Sequence, residues 1–247
     1  MTNDDKRRLA VVTGAAGGIG LATARRLAGD GLRVLMLDIA AHKLEPAAAQ
    51  LASEGLDVEP RLLDLRDQEA IAAFFEELPG LDVLVNNAGI FDVRRFDELT
   101  VEDLRRMTET NYVSVFAMSQ AAARRMAPDA RIINIASRSW LGARDIAHYA
   151  ASKAAVVGLT RAMALDLAPK RILVNAVAPG VIETAILDAW DDEARAALAA
   201  RQPIGRLGRP DDIAAAVSYL ADPRTGFITG QTLIVDGGAS VGTLGGA

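Results

Sequence analysis

Short apolar runs alternate along this 247-residue chain with longer stretches in which apolar positions recur at helical spacing. "LAVVT", "RVLMLD", "VEPRLLDL", "LDVLVNNAG", "RIINIAS", "RILVNAVAPG" and "QTLIVDGG" are short and almost continuously apolar, the pattern of strands covered on both faces. Between them, "GIGLATARRLAGD", "HKLEPAAAQLASEG", "DQEAIAAFFEELPG", the region 100–126, "AHYAASKAAVVGLTRAMALDLAP" and "PDDIAAAVSYLAD" read as helices. Seven strands separated by helices predict an α/β fold: a seven-stranded parallel sheet, joined by right-handed crossovers, with helices on both faces. No composition break or linker divides the chain, which predicts one domain over residues 1–247.

Composition narrows the chemistry. Hydrophobic residues make up 51% of the chain and glycine contributes 21 residues, which fits helices packed closely on a parallel sheet. A net charge of −5 signals no broad basic surface and disfavours a nucleic-acid partner. The absence of cysteine removes disulfides, thiolate metal sites and cysteine nucleophiles, and the two histidines, His42 and His148, count against a multi-histidine metal site, so no metal is expected. The opening "MTNDDKRRLAVVTG" lacks the apolar core of a signal peptide, and no uncharged run reaches membrane-spanning length. The expectation is a soluble, cytoplasmic protein with no membrane partner.

The turn "VVTGAAGGIG" joins the first strand to the first helix and carries Gly14, Gly17, Gly18 and Gly20 around Ile19. A pyrophosphate needs close backbone approach, free N–H groups and a helix N-terminus, and glycines permit the first two. The spacing departs from G-x-G-x-x-G, since Thr23 stands at the third glycine position, and matches T-G-x-x-x-G-x-G instead. Asp38 ends the second strand 18 residues after Gly20, where a carboxylate accepts from the ribose hydroxyls of an adenosine. A 2′-phosphate there would meet a like charge, at roughly 1–4 kcal/mol for a pair ~4 Å apart at surface-like dielectric. Ile39 and Ala40 follow Asp38, and no Lys or Arg lies within "TGAAGGIG". The cofactor expected is NAD in preference to NADP.

Together "TGAAGGIG", "NNAG", "YAASK", "NAVAPG" and "VDGG", in that order, resemble the short-chain dehydrogenase/reductase family across essentially the whole chain. The resemblance implies a Rossmann-like doubly wound domain, a nicotinamide cofactor, hydride transfer at an alcohol or ketone carbon, and a homotetramer, with a homodimer as the other option. It places Asn87, Ala88 and Gly89 beside the cofactor, Asp64 and Leu65 near adenine at the end of the third strand, and Pro179, Gly180, Ile182 and Thr184 around the nicotinamide. It implies a catalytic set of Asn111, Ser137, Tyr149 and Lys153, with Tyr149 and Lys153 also contacting the cofactor.

The chemistry fits those residue types. Alcohol oxidation needs a base for the hydroxyl proton, and free tyrosine titrates near ~10, too high at neutral pH. A lysine ammonium one helical turn away favours the phenolate. Ser137 would hydrogen-bond the substrate oxygen, and Asn111 would relay protons through water to Lys153. Ser137 lies 12 residues before Tyr149, one fewer than the family's commoner spacing, which leaves Ser139 as a second candidate for the serine role. His148 reads as an entry-turn or pocket-rim residue that points away from the active face of its helix.

By the same resemblance, residues 184–208 form a lid over the substrate, with Ile186, Leu187 and Trp190 facing Trp140, Leu141 and Ser139 across the pocket. That set suggests an apolar or ring-containing secondary alcohol or ketone, while Arg94, Arg95, Arg138 and Arg144 keep an acidic substrate open. The two other readings are an NADPH-dependent 3-oxoacyl thioester reductase and a non-catalytic, cofactor-sensing regulatory protein.

Overall fold

Seven parallel strands form one sheet in the order β3-β2-β1-β4-β5-β6-β7 in the computed structural model, which describes residues 7–184, 187 and 191–241. The strands are β1 (Leu9–Thr13), β2 (Arg33–Asp38), β3 (Val58–Leu62), β4 (Leu81–Asn86), β5 (Met126–Ile135), β6 (Leu173–Pro179) and β7 (Thr232–Val235). The helices are α1 (Gly18–Gly29), α2 (Ala41–Ser53), α3 (Gln68–Glu76), α4 (Val101–Thr108), α5 (Ser114–Ala122), α6 (Ala147–Leu167), α7 (Asp192–Ala200) and α8 (Pro210–Ala221).

Strand alternation assigns each apolar residue to one of two layers. Ala10, Val12, Val34, Met36, Val83 and Val85 meet Leu27 of α1, Leu44 of α2 and Val217 of α8 on one face. Val11, Leu35, Leu37, Leu84 and Ile132 meet Phe75 of α3, Met118 of α5 and Ala164 of α6 on the other. With both faces covered, the central strands carry no polar alternation, which is why they read as continuous apolar runs, unlike the edge strand β3 with Glu59 and Arg61. The strand order reverses between β1 and β4, so a crevice opens at their carboxyl ends, the usual ligand position in such sheets.

Three expectations shift. The third strand ends at Leu62 rather than Leu65, so Asp64 and Leu65 lie in the following turn, where the Asp64 carboxylate accepts from the Arg66 backbone and guanidinium. The helical region 100–126 is two helices joined by a π-helical turn at Glu109–Val113, and it stops at Ala122. Met126 belongs to β5, pairing with Leu81 before a register shift returns Val83 to Arg131. Pro128 and the positive φ of Asp129 interrupt the apolar pattern that would have revealed the strand's early start.

Candidate active site

Two backbone-built loops meet at the β1/β4 crevice. Gly14 has a φ of +64°, and a Cβ there would lie 2.9 Å from the Ala88 Cα. Gly20 is tighter still, since a Cβ would sit 2.0 Å from the Gly14 carbonyl oxygen. A clamp locks the loops together: the Thr13 hydroxyl accepts from the Asn87 and Ala88 N–H groups at 2.9 and 3.0 Å, while Asn87 Nδ2 donates to the Thr13 carbonyl at 2.9 Å.

On the open side, Gly17 and Gly18 are exposed, and a Cβ at Gly17 would meet no protein atom. The first turn of α1 contains no acidic residue, and its leading N–H groups have no intrahelical acceptor. An anion is therefore favoured there, with half-buried Ile19 flanking it. Asp38 stands beside this turn, its Oδ2 accepting from Ala16 N–H at 3.1 Å and its Oδ1 from Ala40 N–H at 3.0 Å. Each oxygen retains lone-pair capacity for a ribose hydroxyl. These residues fit a dinucleotide.

From β6, Pro179 ends the strand and Gly180 donates to the Val235 carbonyl at 2.9 Å. A Cβ on Gly180 would lie 2.8 Å from the Asp236 Cα, so β7 and this turn touch backbone to backbone. Ile182 is buried and bridges in parallel to Gly208, and the Thr184 methyl reaches 3.3 Å from the position of a Gly18 Cβ. Thr184 thus closes over the glycine turn.

The second half of the site is made of side chains. Helix α6 presents Tyr149 and Lys153 one turn apart because its buried stripe, Ser152, Val156, Thr160 and Ala164, repeats every four residues and fixes the rotation of the helix. Lys153 is 4% exposed, and its Nζ donates to the Ile135 carbonyl at 2.9 Å while lying 5.8 Å from the Tyr149 ring centroid. Burial lowers the Lys153 ammonium to about 8. Burial likewise pushes the Tyr149 phenol up, and a hydrogen bond from Ser137 pulls it down. The Lys153 ammonium, expected to favour the phenolate, stands behind the ring while donating to Ile135, and Ser137 adds a lowering influence of its own on the phenol.

Ser137 follows β5 and caps the short turn Arg138–Leu141. Its oxygen accepts from Ser139 N–H at 3.2 Å and from the Ser139 hydroxyl at 2.9 Å. With both lone pairs engaged, its own proton is left for Tyr149. The two candidate serines are therefore a pair, with Ser137 in front and the buried Ser139 behind it. Asn111 sits in the π-helical turn and is fully buried. Its Oδ1 accepts from Ile90 N–H at 2.8 Å, and its Nδ2 donates to the Ile90 carbonyl at 3.0 Å and to Ser152 Oγ at 3.2 Å. A Cβ at Gly89 would crowd both Asn111 Oδ1, at 3.0 Å, and Lys153 Nζ, at 3.6 Å. Asn111, Gly89 and Lys153 are thus brought together.

Other expected pocket residues separate. Trp140 is partly buried and packs on the cluster of Val115, Val156, Val157 and Ala176, and Leu141 is exposed. Leu187 is buried, with its carbonyl accepting from Arg195, while Ile186 and Trp190 lie outside the described residues. Arg94 pairs with Asp103, Arg95 with Asp97, and Arg138 approaches Asp236 at 4.0 Å, which leaves exposed Arg144 as the candidate for an acidic group. His148 lies in the entry turn of α6, as one of the two expectations had it, but it is 2% exposed rather than on a rim, and its Nε2–H donates to the ionised Asp92, whose other oxygen takes Arg106. Phe91, stacked edge-to-face on Tyr149, and Asp92 were not singled out from sequence; their only signal was their place directly after "NNAGI".

The fold and the site together define a dinucleotide-binding oxidoreductase. The family described as Enoyl-(Acyl carrier protein) reductase matches residues 14–240. The chain is 38% identical to the (2S)-[(R)-hydroxy(phenyl)methyl]succinyl-CoA dehydrogenase subunit BbsD of Thauera aromatica, covering 96% of this chain and 98% of that protein. It is 40% identical to the 3-oxoacyl-[acyl-carrier-protein] reductase FabG of Vibrio cholerae, over 94% of this chain and 96% of that one. A crystal structure of a dehydrogenase/reductase from Sinorhizobium meliloti superposes with a TM-score of 0.89 at 38% identity, covering 94% and 95% of the two chains. The chain belongs to the short-chain dehydrogenase/reductase family, whose members bind NAD(P).

Proposed function

We propose that this protein is an NAD-dependent dehydrogenase/reductase that interconverts a secondary alcohol and a ketone. The observation that carries the reading is the buried Lys153 one helical turn from Tyr149, its Nζ 5.8 Å from the ring centroid, with Ser137 placed where it favours the ionised phenol. The nicotinamide, when bound, accepts the hydride in oxidation and gives it back in reduction. Tyr149 takes the alcohol's hydroxyl proton as the carbonyl forms and returns it in the reverse direction. When substrate binds, the single Ser137 proton turns from Tyr149 to the substrate oxygen as its charge develops, since Ser139 occupies the acceptor sites of Ser137. Lys153 supplies positive charge behind the phenol, and Asn111 holds the proton path open toward it.

Gly14, Gly17, Gly18, Ile19 and Gly20 would take the pyrophosphate, Asp38 the adenosine ribose, and Asp64 and Leu65 the adenine edge. Asn87, Ala88 and Gly89 with Pro179, Gly180, Ile182 and Thr184 would bound the nicotinamide half. Asp38 followed by exposed Ile39 and by Ala40 supports NAD, since the first cation downstream is Lys43 and the turn "TGAAGGIG" carries none. The substrate is a small molecule, and a homotetramer in the cytoplasm completes the reading.

One observation favours a second reading: the 40% identity to a 3-oxoacyl-[acyl-carrier-protein] reductase. That activity calls for reduction of a thioester-linked ketone, with NADPH as the expected donor. The test is a screen of NADH and NADPH formation across secondary alcohols, diols, sugars and hydroxy acids, run beside reduction of a 3-oxoacyl thioester with each cofactor. Oxidation of an alcohol with NAD preferred supports the proposal; thioester reduction confined to NADPH overturns it. A retained cofactor affinity with no turnover on either panel would instead point to a sensor.

A further inference from the structure

The loop leaving β4 is fastened on both sides of the phenol. Phe91 packs edge-to-face against Tyr149, with centroids 4.9 Å apart and planes at 87°. Phe91 is 37% exposed, so the chain leaves it partly uncovered. The next residue turns the other way. Asp92 Oδ1 accepts from His148 Nε2–H at 2.5 Å, and Oδ2 takes the Arg106 guanidinium. His148 immediately precedes Tyr149 on α6, and Arg106 belongs to α4. One carboxylate therefore ties the loop to the two helices that flank it. Burial alone would raise the Asp92 carboxyl, but hydrogen bonds from Arg106 and His148 bring it below the ordinary carboxylate value.

These contacts are more than the chain path requires. Ile90 is already held by the Asn111 side chain, and Arg94 N–H already donates to the Asp145 carbonyl at 2.7 Å. The contacts of Asp92 fall between those anchors, at the residue next to Phe91, where they fix a ring rather than a path.

We propose that Asp92, through His148 and Arg106, is a positioning residue for Tyr149: it holds the Phe91 ring against the phenol and makes that ring an apolar wall for a ring-bearing substrate. The proposal rests on Tyr149 being the acid/base assigned above. Two consequences follow. Loss of the Asp92 contacts hydrates the phenol, and burial is what raises it, so its ionisation moves down in pH. Loss of the wall also weakens discrimination for ring-bearing alcohols over small ones.

The experiment uses Asp92→Ala, Asp92→Asn, Phe91→Ala and the Phe91→Ala/Asp92→Ala double variant. The first readout, independent of turnover, is the ultraviolet phenolate titration of Tyr149, obtained by difference against Tyr149→Phe. The second is the ratio of kcat/KM for cyclohexanol to that for 2-propanol, with cofactor affinity measured alongside. Asp92→Ala and Phe91→Ala should each lower the ionisation pH by about half a unit or more and cut the ratio by about tenfold. The double variant should add little to either. Asp92→Asn, which keeps an acceptor oxygen, should fall between and guards against misfolding of the alanine variant. An unchanged titration in the Asp92 variants, or fully additive effects in the double variant, overturns the proposal even if thermal stability falls. If the wild-type protein oxidises neither alcohol, the function assigned above fails on that result, and the titration still decides whether Asp92 positions the phenol.

Discussion

The two halves of the site are made of different material. The cofactor half is backbone: neighbouring atoms lie under 3 Å from where a Cβ of Gly14 or Gly20 would fall, and Thr13 and Asn87 clamp the turn to the loop after β4. The reacting half is side chains: Ser137, Ser139, Tyr149, Lys153 and Asn111, drawn from the turn after β5, from α6 and from the π-helical turn. Backbone geometry is set by sheet register and, at Gly14 and Gly20, tolerates no added atom. Side-chain geometry is set by hydrogen bonds and burial, and it can be weakened in steps. The halves should therefore fail separately, one by loss of binding and the other by loss of chemistry.

The largest effect belongs to the reacting half. Tyr149→Phe should fold and bind NADH as the wild type does while losing roughly 100- to 10,000-fold in turnover, the usual worth of a positioned acid/base. Steady-state rates beside NADH fluorescence titration check it. Near-normal turnover removes Tyr149 from the chemistry, and a parallel loss of binding would show that the halves are not separable.

Gly20→Ala attacks the other half. A methyl 2.0 Å from the Gly14 carbonyl cannot be absorbed without moving the turn. Overpacking of this kind costs about 1–3 kcal/mol, and the cofactor Kd should rise roughly 10- to 100-fold. The Tyr149 phenolate titration without cofactor should stay at its wild-type position, because no element of the reacting half touches Gly20. A shifted titration would mean that the glycine turn also organises the catalytic side chains.

How legible each half was from sequence follows the same division. Glycines needed for close approach leave their mark directly in "TGAAGGIG", and a strand-ending Asp38 announces its place, so the cofactor half reads from the chain. The proposed catalytic set of Asn111, Ser137, Tyr149 and Lys153 stands in the sequence as residue types in order, but its wiring does not. Ser137 and Ser139 are two residues apart and only coordinates show one behind the other. The Lys153–Ile135 contact joins a helix to a strand end 18 residues away. His148 looked like a rim residue because nothing in "HYAASK" reveals its partner Asp92, which lies 56 positions earlier. The fold was legible wherever strands were apolar throughout, and blurred at β3 and β5, where Pro60 and Pro128 with their charged neighbours break the pattern.

Lys153 gives the comparison a pH axis. Its ammonium titrates at about 8 in the folded chain against 10.5 for the unperturbed group, with burial as the cause. The unfolded chain therefore binds more protons between those values, and stability rises with pH across the window, by on the order of 3 kcal/mol. Below about 8 both states are protonated and the penalty of the buried charge is constant. Turnover should move the opposite way, falling as the ammonium is lost from behind Tyr149. Urea unfolding from pH 7 to 10 in wild type and Lys153→Met checks the sign, since the variant should lose this rise. Stability that falls through the same window in wild type relative to Lys153→Met would mean the charge is compensated in the fold.

The smallest expected effect lies within the reacting half and tests its graded character. Ser139 gives Ser137 two of its hydrogen bonds, one from backbone N–H and one from the hydroxyl. Ser139→Ala removes only the second. A neutral hydrogen bond contributes about 0.5–1.5 kcal/mol, so kcat should drop roughly 2- to 10-fold, and Ser139→Thr should recover part of it. Ser137→Ala should cost more, because it removes the donor itself. The phenol should ionise at slightly higher pH in Ser139→Ala, since a freely rotating Ser137 proton no longer points steadily at Tyr149. A loss in Ser139→Ala equal to that in Ser137→Ala would make Ser139 the group that meets the substrate oxygen and Ser137 its support. No loss at all would mean the backbone N–H suffices to orient Ser137, and the side-chain half would be, at that one point, as much a matter of backbone as the glycine turn.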